Sequence, residues 1–404
     1  MKNKFLKSFL TLSGSNLAAQ AINLITYFIL PKFFFTPKEF GVFGMFLPFY
    51  FILFEIVNLK MDQSIMLPKS DNEAKKLLNF SWAIAIIISL LVTVFLWLGA
   101  LFFPSIDKHI LYFLGLSLLL GGLLQPIMVW LNRERAYFRM GNIRVVQALA
   151  TFGISILSFY VIKDVFNGLI IGFIGGQIFA LLVGFVSLPS ISKSIADRSL
   201  INEYNQFIKF GTISSMVGTL SRNLPAFAIK YFFGYTYLGY YTLATKYLNA
   251  PMGIFSTSIG QIYFKEASVA KQPRLKELTS NIVKNIFAII AIPTLILLFF
   301  GGGIFQFVFG AEWLMAGKIV QVLILWYFVA YVSGPLSILL DVKLKLKWEL
   351  NYNIALLVFR AIALATAFLI GNFFIVLAIY TVVGITFNAV LLAYILNLSH
   401  EDVE

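Results

Sequence analysis

Apolar runs of about 20 residues recur along the whole chain, with only short links between them. A helix of that length crosses the roughly 30 Å hydrocarbon core of a bilayer. Charged residues make up 12% of the chain, about half of the roughly 25% that is usual in soluble proteins. The sequence therefore predicts an all-α integral membrane protein with no room for a soluble domain. The twelve predicted spans are 9–30, 40–59, 79–103, 109–131, 144–163, 168–189, 206–232, 236–263, 282–303, 317–340, 350–370 and 373–397.

The net charge of +13 is spread unevenly over the predicted loops. With a cytoplasmic N-terminus, twenty Lys and Arg fall on the inner face and six on the outer face, which is the bias that orients membrane proteins. The outer six are Lys32, Lys38, Lys108, Lys163, Lys230 and Lys318. The bias predicts that both termini are cytoplasmic. It also accounts for the basic charge without a nucleic-acid partner.

Chemistry that needs cysteine or histidine has little material here. The chain has no cysteine and two histidines, so neither a disulfide framework nor a thiolate metal site is predicted. We expect no cofactor, no metal and no catalytic residue. No nucleotide-binding loop is present either, so any transport would draw on a gradient, the membrane potential or substrate supply.

The two halves of the chain resemble each other at a spacing of 198 residues. The matching pairs are Lys32 and Lys230, Phe34 and Phe232, Phe35 and Phe233, and Gly41 and Gly239. Six spans per half is an even number, so both halves enter the membrane in the same direction, as parallel repeats do. The predicted organisation is an N-terminal six-helix lobe over 1–190, a cytoplasmic linker over 191–205, and a C-terminal six-helix lobe over 206–404 that ends in a short cytoplasmic tail.

Spans 1 and 7 each carry a polar stripe at steps of three and four residues, which places its members on one helix face. The stripes are Ser13, Asn16, Gln20 and Asn23 in span 1, and Thr212, Ser215, Thr219 and Arg222 in span 7. Small polar residues commonly join membrane helices to each other. The recurrence of the stripe in both halves favours a pair of helices that line a cavity.

Three cations lie near the middle of predicted spans: Arg222, Lys246 and Arg360. A charge at that depth costs at least about 2.5 kcal/mol and usually faces water, a partner or a ligand. Glu55 is the carboxylate well inside a predicted span, and it can neutralise one cation at most. The imbalance favours a cationic cavity for an anionic substrate over internal ion pairs.

Glu55 has two interpretations that the sequence does not separate. A carboxylate desolvated in a membrane can carry a coupling proton. It can equally well neutralise a nearby cation such as Lys60.

Seven segments in order along the chain resemble the polysaccharide or O-antigen flippases of the MOP exporter superfamily, which also holds the multidrug (MATE) exporters and the lipid II flippases. They are SIMLPKSDNEA at 64–74, WLNRERAYFRMGNIRVVQA at 130–148, SRNLP at 221–225, GYYTLATKYLNAP at 239–251, IGQIYFKEA at 259–267, FGAEWLMAGK at 309–318 and SGPLS at 333–337. The resemblance extends over essentially the whole chain.

The resemblance implies a MATE-like fold of two six-helix lobes that work by alternating access in a bacterial inner membrane. The implied passenger is an undecaprenyl-diphosphate-linked oligosaccharide, with membrane lipid around it and a polymerase and glycosyltransferases as pathway partners. Arg222, Lys246 and Arg360 would be the cavity cations. Span 1 lacks the arginines that lipid II flippases carry, which argues against lipid II as the passenger.

Two alternatives remain at this point. A MATE-like exporter of drugs or organic cations would use the same fold, and its cavity would be expected to hold carboxylates. A membrane-embedded polysaccharide polymerase would need a large outer loop with catalytic Asp, Glu or His. The longest predicted outer segment is 301–316, in which Glu312 is the ionisable residue.

Overall fold

The structure is a computed structural model that describes residues 2–102, 108–161, 168–188, 196, 198–204, 208, 211–267, 273–343 and 345–400, with the backbone alone for residues 2–17. The described residues form helices joined by short turns, and no strand occurs among them. The helices are α1 (Lys2–Phe33), α2 (Pro37–Val57), α3 (Met61–Ser64), α4 (Asp71–Phe102), α5 (Lys108–Arg133), α6 (Tyr137–Val161), α7 (Gly168–Val186), α8 (Arg198–Glu203), α9 (Thr212–Ala267), α10 (Arg274–Phe309), α11 (Leu314–Leu336), α12 (Leu339–Val342), α13 (Leu346–Ala365), α14 (Ala367–Ile370) and α15 (Phe373–Leu398), with one 3-10 turn at Ala311–Trp313.

Nine helices in the described part of the chain are long and apolar enough to cross a membrane. They are Pro37–Val57, Asp71–Gly99, Phe113–Arg133, Tyr137–Val161, Gly168–Val186, Arg274–Phe309, Ala311–Leu336, Lys347–Ile370 and Phe373–Leu398. The other three predicted spans lie in α1 and α9, and they are the ones that carry the polar stripes and two of the three cations. The chain is thus a multi-pass membrane protein, while the count of twelve spans stays a prediction.

The outer surface of several helices is apolar, as a lipid-facing surface must be. Phe95, Phe299 and Phe307 are exposed large side chains on α4 and α10, and few residues in the most apolar part of α4 are buried. An exposed apolar surface of this extent is what a bilayer covers.

The chain divides into two compact units, Met1–Asn223 and Leu224–Glu404. In the first unit α6 packs between α1 and α7, and α5 contacts α2, α4 and α7. In the second unit α11 packs between α10 and α15, and α13 lies against α15. The division falls inside the predicted span 206–232. Of the predicted linker 191–205, residues 191–195, 197 and 205 lie outside the described residues, and the lobe boundaries stay a prediction.

Helix starts follow local sequence chemistry. Helix α2 begins at Pro37, directly after its N-cap residue Thr36. The backbone N–H and the hydroxyl of Thr36 both donate to Glu39 Oε2, at 2.6 and 2.9 Å. This side-chain reach, with proline at the first helical position, satisfies backbone donors that the helix itself cannot. Asn372 caps α15 by accepting from Phe374 N at 3.0 Å.

The internal repeat has a counterpart in packing. In the first unit the rings of Phe34 and Phe159 lie edge to face, with their centroids 5.2 Å apart. In the second unit Phe232, which the sequence repeat matches to Phe34, lies edge to face with Phe368 at 4.5 Å. Each unit therefore closes the end of its first helix with the same kind of aromatic contact.

The prediction of a long outer segment over 301–316 is wrong, because α10 continues as a helix to Phe309. The reason is close packing of glycines: a Cβ at Gly317 on α11 would collide with the carbonyl oxygen of Gly301 on α10. Small residues let membrane helices approach this closely. The connection therefore shrinks to Gly310 and the 3-10 turn Ala311–Trp313.

Candidate functional site

The polar stripe of span 1 lies on α1. Gln20 is half-buried and Asn23 is exposed, whereas the side chains of Ser13 and Asn16 lie outside the described part of the chain. Its role as a cavity lining stays a prediction.

The stripe of span 7 lies at the start of α9, and one of its members bonds to α2. Thr212 and Thr219 are buried and Ser215 is half-buried. The Thr219 hydroxyl donates to Glu55 Oε1 at 2.8 Å. This member of the stripe therefore connects two helices, as polar residues in membranes often do.

Arg222 and Lys60 join the same group. Arg222 Nη2 donates to Thr219 Oγ1 at 2.9 Å, and Lys60 Nζ lies 2.5 Å from Glu55 Oε2. Arg222 is exposed, while the side chains of Lys60 and Glu55 are 19% and 17% exposed. All four residues belong to the first unit, and we call them the Glu55 cluster. Of the two interpretations of Glu55, the one in which it pairs with Lys60 matches this geometry.

An unusual turn places Lys60 in the Glu55 cluster. Leu59 and Lys60 both have left-handed backbones, with φ of 45° and 59°. A left-handed residue other than glycine costs roughly 1–2 kcal/mol, so packing around the turn must hold it. The neighbouring Met61 is fully buried, and its N–H donates to Asn58 O at 2.9 Å.

Asp62 follows directly and is 4% exposed. Gln125 Nε2 donates to Asp62 Oδ2 at 3.3 Å. Burial raises the pKa of the Asp62 carboxyl above its ordinary value of 3.8, against the smaller opposing effects of Gln125 and Lys60. Asp62 lies beyond the predicted span 40–59, so hydropathy gives no reason to expect it inside the protein, yet the structure makes it a buried acid.

Arg360 on α13 is 7% exposed and lies among aromatic rings. Its guanidinium carbon is 5.1 Å from the ring centroid of Trp326 and 5.7 Å from that of Tyr380. Within the described part of the chain its Nε has no hydrogen-bond partner. Desolvated cation–π contacts are worth about 2 kcal/mol. In this conformation, then, Arg360 is covered by aromatic side chains inside the second unit.

Lys246 lies in the second half of α9 and is half-buried. The backbone just after it is held to α11: Tyr331 Oη donates to Leu248 O at 2.5 Å, and Tyr327 Oη donates to Asn249 Oδ1 at 3.1 Å. These bonds fix the part of α9 that carries Lys246.

The three predicted cations therefore fall in two units: Arg222 in the first, and Lys246 and Arg360 in the second. Sequence reasoning named Lys60 as a possible partner of Glu55 but left it out of the predicted binding residues, because it lies at a span end and was counted with the orienting charges. No glycine or asparagine marks the left-handed turn at 59–60. The sequence therefore did not decide between this pairing with Glu55 and a Lys60 side chain that extends toward the head groups.

A sequence profile for the family described as "Polysaccharide biosynthesis protein" matches residues 33–318. The chain belongs to this family. No curated protein matches the chain in sequence.

Solved structures place the family member in a known fold. A structure of the lipid II flippase MurJ in an inward closed conformation is similar with a TM-score of 0.76 and 17% identity, over 95% of this chain and 87% of that one. An inward-facing multidrug resistance MATE transporter of the MOP superfamily has a TM-score of 0.64 and 12% identity, over 94% of this chain and 95% of that one. A MATE protein in complex with MaD5 has a TM-score of 0.65 and 12% identity, over 98% of this chain and 96% of that one. The chain thus has the fold seen in these MurJ and MATE structures.

Proposed function

We propose that this protein is a flippase that moves an undecaprenyl-diphosphate-linked oligosaccharide from the cytoplasmic to the outer leaflet of a bacterial inner membrane. The observation that supports it most is the combination of family and fold, a polysaccharide biosynthesis protein with the backbone fold of a lipid II flippase. The product would serve a surface polysaccharide such as O-antigen or capsule. It would be supplied by glycosyltransferases and consumed by a polymerase. Both termini would be cytoplasmic.

The physical task is to carry a charged, hydroxyl-rich head group across hydrocarbon about 30 Å thick. Such a group loses its hydration unless the protein offers charges and hydrogen bonds in return. Arg222 is exposed, and a guanidinium presents paired donors that suit phosphate oxygens. We assign Arg222 as a contact of the diphosphate.

The second unit would supply Lys246 and Arg360 as further diphosphate contacts. Arg360 would act at a stage of the cycle in which the rings of Trp326 and Tyr380 have moved away from it. The sugar hydroxyls would meet the polar stripes, whose members are Ser13, Asn16, Gln20, Asn23, Thr212, Ser215 and Thr219. The prenyl tail would stay in lipid while the head group is exposed first to one side and then to the other.

A MATE-like exporter of organic cations is the second candidate, and the similarity to MATE structures favours it. A cation site needs a carboxylate that is available to the substrate. Glu55 is engaged by Lys60 and Thr219, which supports the anionic substrate instead.

Proteoliposomes loaded with a fluorescent undecaprenyl-diphosphate oligosaccharide test the proposal. Wild-type protein should bring the sugar to an external lectin, and Arg222→Ala should lower the rate at least about tenfold because a charged hydrogen bond to phosphate is lost. Lys318→Met, which removes an exposed cation at the start of α11, is the matched control and should keep the wild-type rate. Absence of transport by wild-type protein, or full transport by Arg222→Ala, would contradict the proposal.

A further inference from the structure

Two cations of the first unit share one carboxylate. Lys60 contacts Glu55 Oε2 directly. Arg222 is linked to Glu55 Oε1 through the Thr219 hydroxyl, which accepts from the arginine and donates to the carboxylate. The carboxylate of Glu55 therefore holds both positive groups in place with its two oxygens.

The direction of Lys60 is not that of an ordinary lysine at a span end. Such lysines usually extend toward the head groups, but Lys60 turns back to a residue within α2. The backbone on either side is anchored to α5: Asn58 Nδ2 donates to Gly122 O at 3.2 Å, and Arg133 Nη1 donates to Ile65 O at 3.1 Å. Packing thus imposes the left-handed turn that points Lys60 at Glu55.

The four residues of the Glu55 cluster carry two positive groups and one carboxylate. Within the cluster two cations face one carboxylate, and the buried Asp62, which accepts from Gln125, is a separate acidic group next to Lys60. The side chains of Lys60 and Glu55 are both partly exposed, and Arg222 is exposed. A ligand can therefore approach the cluster, and an anion is the ligand that its charge favours.

We propose that Glu55 occupies the place of an anionic ligand in this structure, and that Lys60 and Arg222 form a diphosphate-binding site from which the ligand displaces Glu55. This inference rests on the proposed function and adds Lys60 to its binding residues. A diphosphate offers two linked phosphoryl groups with several acceptor oxygens, whereas a carboxylate offers two oxygens and one charge. One phosphoryl group would contact Lys60 and the other Arg222, and Thr219 would remain beside Arg222.

The test compares binding of undecaprenyl diphosphate, undecaprenyl phosphate and inorganic diphosphate to the full-length protein in nanodiscs. Wild-type protein should prefer undecaprenyl diphosphate over the monophosphate by about tenfold, the usual effect of one additional charged hydrogen bond. Inorganic diphosphate should compete with the lipid, because the proposed site contacts the phosphoryl groups. Competition by undecaprenyl phosphate but not by inorganic diphosphate would overturn the site.

Variants separate a ligand contact from a structural ion pair. Lys60→Met should abolish the preference for diphosphate over monophosphate, Lys60→Arg should keep it, and Lys69→Met, at an exposed lysine nearby, should match wild type. Glu55→Gln should bind undecaprenyl diphosphate more tightly, because the internal competitor has lost its charge while Thr219 can still donate to it. A preference that survives Lys60→Met, or weaker binding by Glu55→Gln, would overturn the proposal.

Comparison with transport distinguishes this inference from the proposed function. Transport by wild-type protein together with a preference that does not depend on Lys60 would reject the site and leave the flippase. A preference that depends on Lys60 without any transport of the oligosaccharide would leave the site and reject the flippase.

Discussion

At the scale of single residues, the two arginines assigned to the substrate have opposite surroundings. Arg222 is exposed and bonds to one hydroxyl, whereas Arg360 is buried against Trp326 and Tyr380. Removing Arg360 would leave a gap between rings as well as a missing charge, so loss of activity in such a variant would not identify a substrate contact. Arg222 is the better residue for a direct test.

Asp62 supports a prediction about pH. Because its folded-state pKa is raised by burial, the native protein holds this proton to higher pH than the unfolded chain does. Stability is therefore lost as pH rises above about 3.8 toward the raised folded pKa, with a slope of at most about 1.4 kcal/mol per pH unit. Asp62→Asn, which can still accept from Gln125, should lack this loss.

Thermal unfolding of the detergent-solubilised protein from pH 4 to pH 8 measures the effect. The stability of Asp62→Asn relative to wild type should increase with pH across the lower part of this range. A constant difference between the two proteins would show that the carboxyl titrates alike in the folded and unfolded states.

At the scale of helices, one glycine divides the 56-residue α9 into two segments. Gly234 has φ of 83° and ψ of −179°, a region that is essentially restricted to glycine. The break falls between predicted spans 7 and 8, where a membrane helix has to end and the next one begin. A Cβ there meets no atom within 4 Å, so the restriction comes from the backbone alone.

Gly234→Ala should therefore lower the free energy of unfolding by roughly 1–3 kcal/mol. Gly153→Ala is the matched control, because Gly153 lies inside α6 and its Cβ would also meet nothing within 4 Å. Alanine is the better helix former by about 1 kcal/mol, so the control should be stable or slightly stabilised. Equal effects of the two substitutions on the melting temperature would contradict the assigned role of Gly234.

The scale of the whole molecule concerns orientation in the membrane. The chain has no cysteine, so single cysteines can be introduced without further changes. Lys38→Cys on the predicted outer face should react with a membrane-impermeant maleimide added to intact spheroplasts. Lys69→Cys on the predicted inner face should react only after the spheroplasts are lysed. Both lysines are exposed in the structure, which makes the pair comparable. The opposite labelling pattern would reverse the predicted orientation.

Much of the architecture was predictable from local sequence. The membrane class followed from the apolar runs, and the boundary between spans 7 and 8 lies where the structure places Gly234. The family assignment was confirmed by the profile match. The prediction of a long outer segment at 301–316 was wrong. Hydropathy does not reveal that Gly301 and Gly317 let α10 and α11 approach closely, and in the structure α10 continues through this region.

The sequence by itself determined that this is a helical multi-pass membrane protein of the polysaccharide biosynthesis family, because hydropathy and motif order are properties of neighbouring residues. Only the tertiary structure decided which groups meet. Glu55 and Thr219 are 164 residues apart, Lys60 reaches Glu55 through a left-handed turn without glycine, and the rings over Arg360 come from other helices. The physical reason is that a charge's partners are set by helix packing, which spacing along the chain does not encode.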